Sequence, residues 1–125
     1  MLIFALTLAA LQASAPTPLT ETHQRDISCV VEIAVLADAQ KRGVTGGADV
    51  RTSGRRWAGI VGDRITNETG QPPELVAIAM TEAAKARAPR AGDEATITAC
   101  TRQMINELAI AQSADAPLPK PVKPQ

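Results

Sequence analysis

Two cysteines, Cys29 and Cys100, are the only ones in a chain of 125 residues, and they lie 71 positions apart. Cys29 sits in the apolar run Ile27–Leu36, the densest after the N-terminal segment, and Cys100 lies in a second apolar stretch near the other end. In an oxidising compartment, a chain with two cysteines most simply forms one disulfide. Closing such a loop stabilises a fold by roughly 4 kcal/mol in the chain-entropy model. We therefore predict a Cys29–Cys100 bond; two free buried thiols and an intermolecular bridge are the alternatives.

The N-terminal segment has the pattern of a secretory signal. Met1 to Ala10 is almost wholly apolar, and Ala13-Ser14-Ala15 matches the small-x-small cleavage site before Pro16. The segment is shorter than the roughly 20 residues that cross a bilayer. No Lys or Arg precedes the apolar core, and a buried N-terminal helix is the alternative. We expect residues 1–15 to be a signal peptide, and the mature protein to be periplasmic or secreted with no stable membrane span.

The mature part is electrically balanced and almost free of aromatic residues. All thirteen acidic and all thirteen basic residues follow the leader, so generic nucleic-acid binding, which needs net positive charge, is not expected. Phe4 leaves with the leader, and Trp57 is then the only aromatic residue. The core must therefore be built from aliphatic side chains that bury little area each. A domain of this size is marginal without a further constraint, and the disulfide supplies one. The Ala- and Arg-rich composition is typical of a bacterial protein.

Apolar periodicity predicts an all-α fold, a small four-helix bundle. The first helix is capped by Thr20 or Thr22 and ends near Arg42. Its β-branched run also permits a strand, but it lacks the alternation of one. A glycine-rich loop, residues 43–54, precedes the second helix, with Ser53 as the expected cap. The predicted buried face of the second helix carries Trp57, Ile60, Val61 and Ile65.

The third helix is predicted to begin at Pro72-Pro73 and to end near Arg87. Asp93 is the expected cap of the fourth, which runs to about Ser113. Residues 114–125 contain four prolines and are expected to form a disordered or polyproline-like tail, so that 16–113 is a single helical domain. The predicted buried residues are Leu75, Val76, Ile78, Ala79, Met80 and Ala83 in the third helix, and Ile97, Cys100, Met104, Leu108 and Ala111 in the fourth.

Residues suited to catalysis or metal binding are sparse. His23, the only histidine, lies in the first turn of the first helix and is expected to be a solvated surface residue. The sequence has no zinc pattern, no calcium loop and no Cys-x-x-Cys pair. Glu32 has two interpretations: a place on a solvated strip with Ser28 and Gln40, which periodicity favours, or a buried carboxyl with a raised pKa. We expect no catalytic residues, metal site or cofactor, and no enzymatic activity.

The most distinctive polar segment is Val50–Trp57, which holds three arginines and two hydroxyl side chains before the expected helix. Helix N-termini attract anions, and arginine adds bidentate donors. The segment predicts a site for a phosphate, a sulfate or an acidic patch of a partner, with Trp57 as the contact anchor. The alternative is a solvated basic loop with Trp57 in the core. The candidate anion- or partner-binding residues are Arg51, Ser53, Arg55, Arg56 and Trp57.

The layout resembles that of HdeA-type periplasmic acid chaperones, and of the similarly built periplasmic immunity proteins that neutralise secreted cell-wall amidases. The matching parts are the leader, Cys29 in its apolar helix, and Ala99-Cys100-Thr101 in the final helical stripe. The loop between the cysteines is longer here. The resemblance implies binding rather than catalysis. We expect a protein that binds an envelope protein as a chaperone, inhibitor or immunity-type partner; the alternative is a binder of an anionic small molecule or envelope polymer at Arg51–Arg56.

Overall fold

The computed structural model describes residues 15–87 and 92–115, which form four α-helices and no strand. The expectation of an all-α four-helix bundle is confirmed. The predicted signal peptide up to residue 14 and the Pro-rich tail from residue 116 lie outside the described residues, but the last helix continues past the predicted end at Ser113. No helix in the described part is long and apolar enough to cross a membrane. In chain order the helices are α1 (Glu21–Lys41), α2 (Arg51–Thr69), α3 (Pro73–Arg87) and α4 (Glu94–Asp115).

Thr20, one of the two predicted caps, is the N-cap of α1. The Thr20 hydroxyl accepts a hydrogen bond from the His23 backbone N–H at 3.2 Å, and His23 Nδ1 accepts one from the Thr20 N–H at 3.0 Å. This reciprocal pair satisfies two N–H groups that the helix end would otherwise leave unpaired. At the other end Gly43 has φ 103°, a left-handed conformation that glycine adopts without strain.

The two central helices, α1 and α2, run antiparallel, and both α3 and α4 pack on this pair. Two contacts show this direction. Asp26, near the start of α1, pairs with Arg64 in the second half of α2, whereas Ile33, further along α1, lies against Gly54 near the start of α2. A Cβ atom built on Gly54 would lie 2.8 Å from Ile33 Cγ2, so glycine is needed there for the helices to approach closely. Within the described residues, α3 and α4 do not pack on each other.

The core is aliphatic except for Trp57, as expected from the composition. Three of the four residues predicted for the inner face of α2 are fully buried, namely Trp57, Val61 and Ile65. Two predictions for α3 were wrong: Leu75 and Ile78 are 50% and 54% exposed. The inner stripe of α3 is narrower than predicted because α3 packs on the α1–α2 pair alone; it consists of Val76, Ala79, Met80 and Ala83.

A disulfide joins α1 to α4, confirming the predicted pair Cys29 and Cys100. Their Cα atoms are 5.2 Å apart and the S–S distance is 2.04 Å. Cys100 belongs to the predicted inner stripe of α4, in which Met104 is 1% exposed and Leu108 packs against the core. The bond therefore fixes α4 on the central pair at the place where their apolar faces meet.

Candidate functional site

The arginine-rich segment is not a loop but the first two turns of α2. The helix begins at Arg51, because the Asp49 carboxylate accepts a hydrogen bond from the Arg51 backbone N–H at 3.1 Å. Ser53 is therefore not the cap, contrary to the prediction. Its hydroxyl donates to the Asp49 carbonyl at 3.4 Å. The predicted loop is correspondingly shorter and ends at Val50, whose side chain is fully buried.

Trp57 is a core residue and not a contact anchor. It is 0% exposed, so the second of its two interpretations is confirmed and a partner cannot reach it. Its Nε1–H makes no hydrogen bond of normal geometry within the described residues. The same N–H nevertheless lies near enough to the Glu107 carboxylate to help lower the pKa of that group.

The three arginines of this segment have different environments, so they do not form one anion site. Arg51 donates two hydrogen bonds to the Asp49 carboxylate, at 3.0 and 2.8 Å, and these hold the pKa of Asp49 to about 2. Arg55 and Arg56 are exposed and have no ion pair within the described residues. Adjacent helical residues point about 100° apart: Arg55 borders the space between α1 and α2, whereas Arg56 lies near Leu108 of α4.

The best candidate site is a groove of about 550 Å³ between the C-terminal half of α1 and the N-terminal half of α2, here called the α1–α2 groove. Small apolar groups form its floor, and longer charged side chains form its rim. Its size and mixed lining are those of a site that encloses a small ligand or part of a partner chain. The lining residues are Val30, Ala34, Ala37, Asp38 and Lys41 from α1, with Asp49, Arg51, Thr52, Gly54, Arg55 and Ala58 from α2 and the residues before it.

The Gln40 side chain holds the connection between α1 and α2, residues 42–50, by hydrogen bonds. Gln40 donates to the Ala48 carbonyl at 2.8 Å and accepts from the Val50 N–H at 2.9 Å. This one amide therefore replaces two hydrogen bonds that the chain would otherwise make to water. It also ties the start of α2 to the end of α1.

Glu32 is neither on a solvated strip nor an uncompensated buried acid. Its side chain is 13% exposed and forms an ion pair with Arg87, whose Nε and Nη2 donate to the two carboxylate oxygens at 2.7 and 2.9 Å. Arg87 is the last residue of α3. The prediction failed because the periodicity of α1 does not show that Arg87, at the end of α3, lies beside Glu32.

His23 is buried, contrary to the expectation of a solvated surface residue. Its side chain is 7% exposed, and its two ring nitrogens lie at hydrogen-bond distance from Thr20 and from the Glu68 carboxylate, the latter at 3.5 Å. Nδ1 thus helps to cap the start of α1, and Nε2 connects that start to the end of α2. This imidazole has a structural role.

A polar network on the buried side of α4 was missed by the sequence analysis. Arg64 donates to Glu107 at 2.5 Å and to Asp26 at 3.1 Å, and Gln103 donates to the same two carboxylates at 2.8 and 2.9 Å. Burial of Glu107 alone would raise its pKa, but the hydrogen bonds from Arg64 and Gln103 outweigh this effect and lower it. The network joins three helices and leaves each carboxylate fully partnered.

A signal for this network was present in the sequence. Asp26 lies three residues before Cys29, and Gln103 three residues after Cys100. Residues three apart share a helix face, so two helices that run in opposite directions past a disulfide bring these positions together. With α1 and α4 antiparallel, the disulfide places Asp26 beside Gln103, but it does not indicate that Arg64 or Glu107 joins them.

Among the described residues, no group of three or more His, Cys, Asp or Glu side chains is arranged to hold a metal ion. Comparisons with protein-family models, with curated proteins and with solved structures found no match to the chain.

Proposed function

We propose that this is an exported bacterial protein that acts by binding another protein of the cell envelope in the α1–α2 groove. The observation that carries the proposal is the groove itself, in which an alanine- and glycine-lined floor is open to solvent between two rigid helices. Apolar surface of this kind gains free energy when a partner covers it. The signal-like leader, the disulfide and the layout shared with HdeA-type chaperones and immunity proteins support export and a binding role.

Binding suits the groove better than catalysis does. Two of its acidic side chains already have partners: Asp38 pairs with Arg42 at 3.1 Å, and Asp49 pairs with Arg51. The single hydroxyl of its lining, that of Thr52, makes no hydrogen bond to a histidine or a lysine within the described residues. The groove therefore provides a shaped and charged surface for binding a partner, without an activated nucleophile for catalysis among its described residues.

Site-specific photocrosslinking tests the proposal. A benzophenone side chain placed at Ala34, an exposed alanine of the groove, should give a crosslinked adduct of defined mass in the envelope of the producing cell. The matched control is the same replacement at Ala77, an exposed alanine on the outer face of α3. Adducts at both positions in equal yield, or at neither, would show that the groove is not the binding surface.

A second candidate function is the binding of a small amphipathic anion in the same groove. It is favoured by Lys41 and Arg55, which border the groove and have no ion pair within the described residues. Titration with octanoate, with inorganic phosphate as the control, should then shift the NMR signals of groove residues in a salt-sensitive manner. Unchanged spectra at millimolar octanoate would exclude this candidate.

A further inference from the structure

The exposed charges of the α1–α2 pair are separated by sign between its two ends. At one end the last turn of α1 lies beside the start of α2, where the Gln40 side chain bonds to the connection. Five exposed cations and two exposed acids lie here, so this end, called the basic end, has a net charge of +3. The cations are Lys41, Arg42, Arg51, Arg55 and Arg56.

The opposite end of the pair has the opposite sign. Here the start of α1 lies beside the end of α2, as the 3.5 Å contact of His23 with Glu68 shows, and α3 begins soon after α2 ends. Four exposed acids and one exposed cation, Arg25, give this acidic end a net charge of −3. The acids are Glu21, Asp63, Glu68 and Glu74. The chain as a whole has no net charge, so its surface is polarised along the central pair of helices.

The α1–α2 groove lies at the basic end. Its two acids are already neutralised within the chain, because Asp38 pairs with Arg42 and Asp49 pairs with Arg51. Two further cations, one on each wall, line the groove and have no ion pair within the described residues. These are Lys41 on α1 and Arg55 on α2. The charge that the groove offers to an occupant is therefore positive.

The spacing of these two cations favours a large occupant over a small anion. Ile33 of α1 lies against Gly54, the residue before Arg55, and Lys41 follows eight residues further along α1. At 1.5 Å per residue, the two cations are about 12 Å apart along the pair. One small anion could contact both only if both side chains stretched across the alanine floor, whereas a protein surface can present a separate carboxylate to each.

A second copy of this chain also carries acids, at its acidic end. Such a contact would join two different surfaces, and the second copy would still have its own basic end exposed. Contacts of this kind continue from copy to copy unless the rotation between copies closes a ring. A different protein with an acidic surface satisfies the groove in one contact that ends there.

From these charges we infer that the partner is acidic where it meets the groove, and that it presents separate carboxylates to Lys41 and Arg55 on either side of an apolar contact with the alanine floor. The inference rests on the proposed function and specifies the chemistry of its partner. The two ends also orient the approach, because the basic end attracts an acidic surface while the acidic end repels it.

The test repeats the photocrosslinking at Ala34 in two double variants that change the net charge equally. Lys41→Gln with Arg55→Gln removes the unpaired cations of the groove. Arg25→Gln with Arg102→Gln is the matched control, since both arginines are exposed and outside the groove. With the groove not saturated, the adduct yield should fall about tenfold in the first variant, roughly threefold for each exposed ion pair lost. The control yield should not fall.

The partner segment itself gives a second readout. Tandem mass spectrometry of the adduct identifies the residues crosslinked at Ala34, and this segment should contain more acidic than basic residues. Crosslinking in an isolated envelope fraction should also weaken when the ionic strength is raised to about 0.5 M, where the screening length is about 4 Å. Circular dichroism confirms that both double variants are folded, since all four substitutions are at exposed helical positions.

The outcomes separate this inference from the proposed function. An adduct with the same yield in both double variants, or with a partner segment that has no excess of acidic residues, would overturn the acidic partner and leave binding in the groove in place. An adduct of twice the mass of the chain would assign the groove to a second copy and overturn the inference as well. No adduct at Ala34 would overturn both.

Discussion

Arg64 connects three helices through two carboxylates, those of Asp26 and Glu107. Its side chain is 34% exposed, whereas the side chains of Asp26 and Glu107 are 12% and 17% exposed. The acids are thus more deeply buried than the cation that neutralises them, and they depend on it and on Gln103. Removing one member of such a group lowers the stability by more than the ion pair adds to it, because a buried charge is then left without a partner.

Arg64→Gln should therefore lower the free energy of unfolding by about 2 kcal/mol. Urea denaturation followed by Trp57 fluorescence measures the loss, since Trp57 is the only tryptophan and is fully buried. Arg102→Gln, at an exposed position of α4, is the matched control and should change stability by less than about 0.5 kcal/mol. Equal effects of the two variants would contradict the role given to the network.

The same network makes stability depend on pH. The pKa of Glu107 is lower in the folded protein than its ordinary value of about 4.3, so near pH 4 the unfolded chain binds more protons. The stabilisation from this group is complete above the unfolded pKa and is lost as the pH falls through the folded pKa.

Glu107→Gln should accordingly reduce the loss of stability between pH 6 and pH 3, as measured by urea unfolding at each pH. It should not remove the loss altogether, because the pKa of Asp49 is also lowered, to about 2. Unfolding curves with the same pH dependence in the variant and the original protein would contradict this assignment.

At the scale of the helices, the sequence was informative wherever a local signal decides the structure. Thr20 at the start of α1 is such a signal and was one of its two predicted caps, and α1 ends at Lys41, close to the predicted end near Arg42. The start of α2 was predicted too late, because Asp49 replaces Ser53 as the side chain that supports the first turn. The α1–α2 groove was not predictable from any one helix, since residues of both α1 and α2 line it.

Thr20→Ala should lower the free energy of unfolding by about 1 kcal/mol, because it removes the hydroxyl that caps α1. The other predicted cap, Thr22, provides the control: it lies inside the helix and is exposed, so Thr22→Ala should be neutral or slightly stabilising. Thermal unfolding measures both. A larger loss for Thr22→Ala would place the start of the helix differently.

At the scale of the whole molecule, the pair of cysteines carried most of the information about the fold. With helical periodicity it predicted that the first and fourth helices meet along the apolar stripe of α4, while the composition predicted the aliphatic core. What it left out were the charged contacts between elements, such as Glu32–Arg87 and the Arg64 network. These require the relative positions of three helices, which no single pair of residues determines.

Replacing both cysteines, Cys29→Ala with Cys100→Ala, should lower the free energy of unfolding by roughly 4 kcal/mol. Urea denaturation measures this, and the original protein with its disulfide reduced should show a similar loss. A loss below about 1 kcal/mol would mean that the apolar contacts of α4 hold it in place without the bond.

The Cys29–Cys100 bond also gives the chain a covalent ring, with α2, α3 and the glycine-containing connection 42–50 all inside it. A protease that cuts once within the ring opens it without releasing a fragment, because the two pieces stay joined through sulfur. The exposed connection is the natural place for such a cut. A nicked molecule would therefore gain only the mass of one water and would separate into two pieces only when it is reduced, so both walls of the groove would stay in one covalent unit.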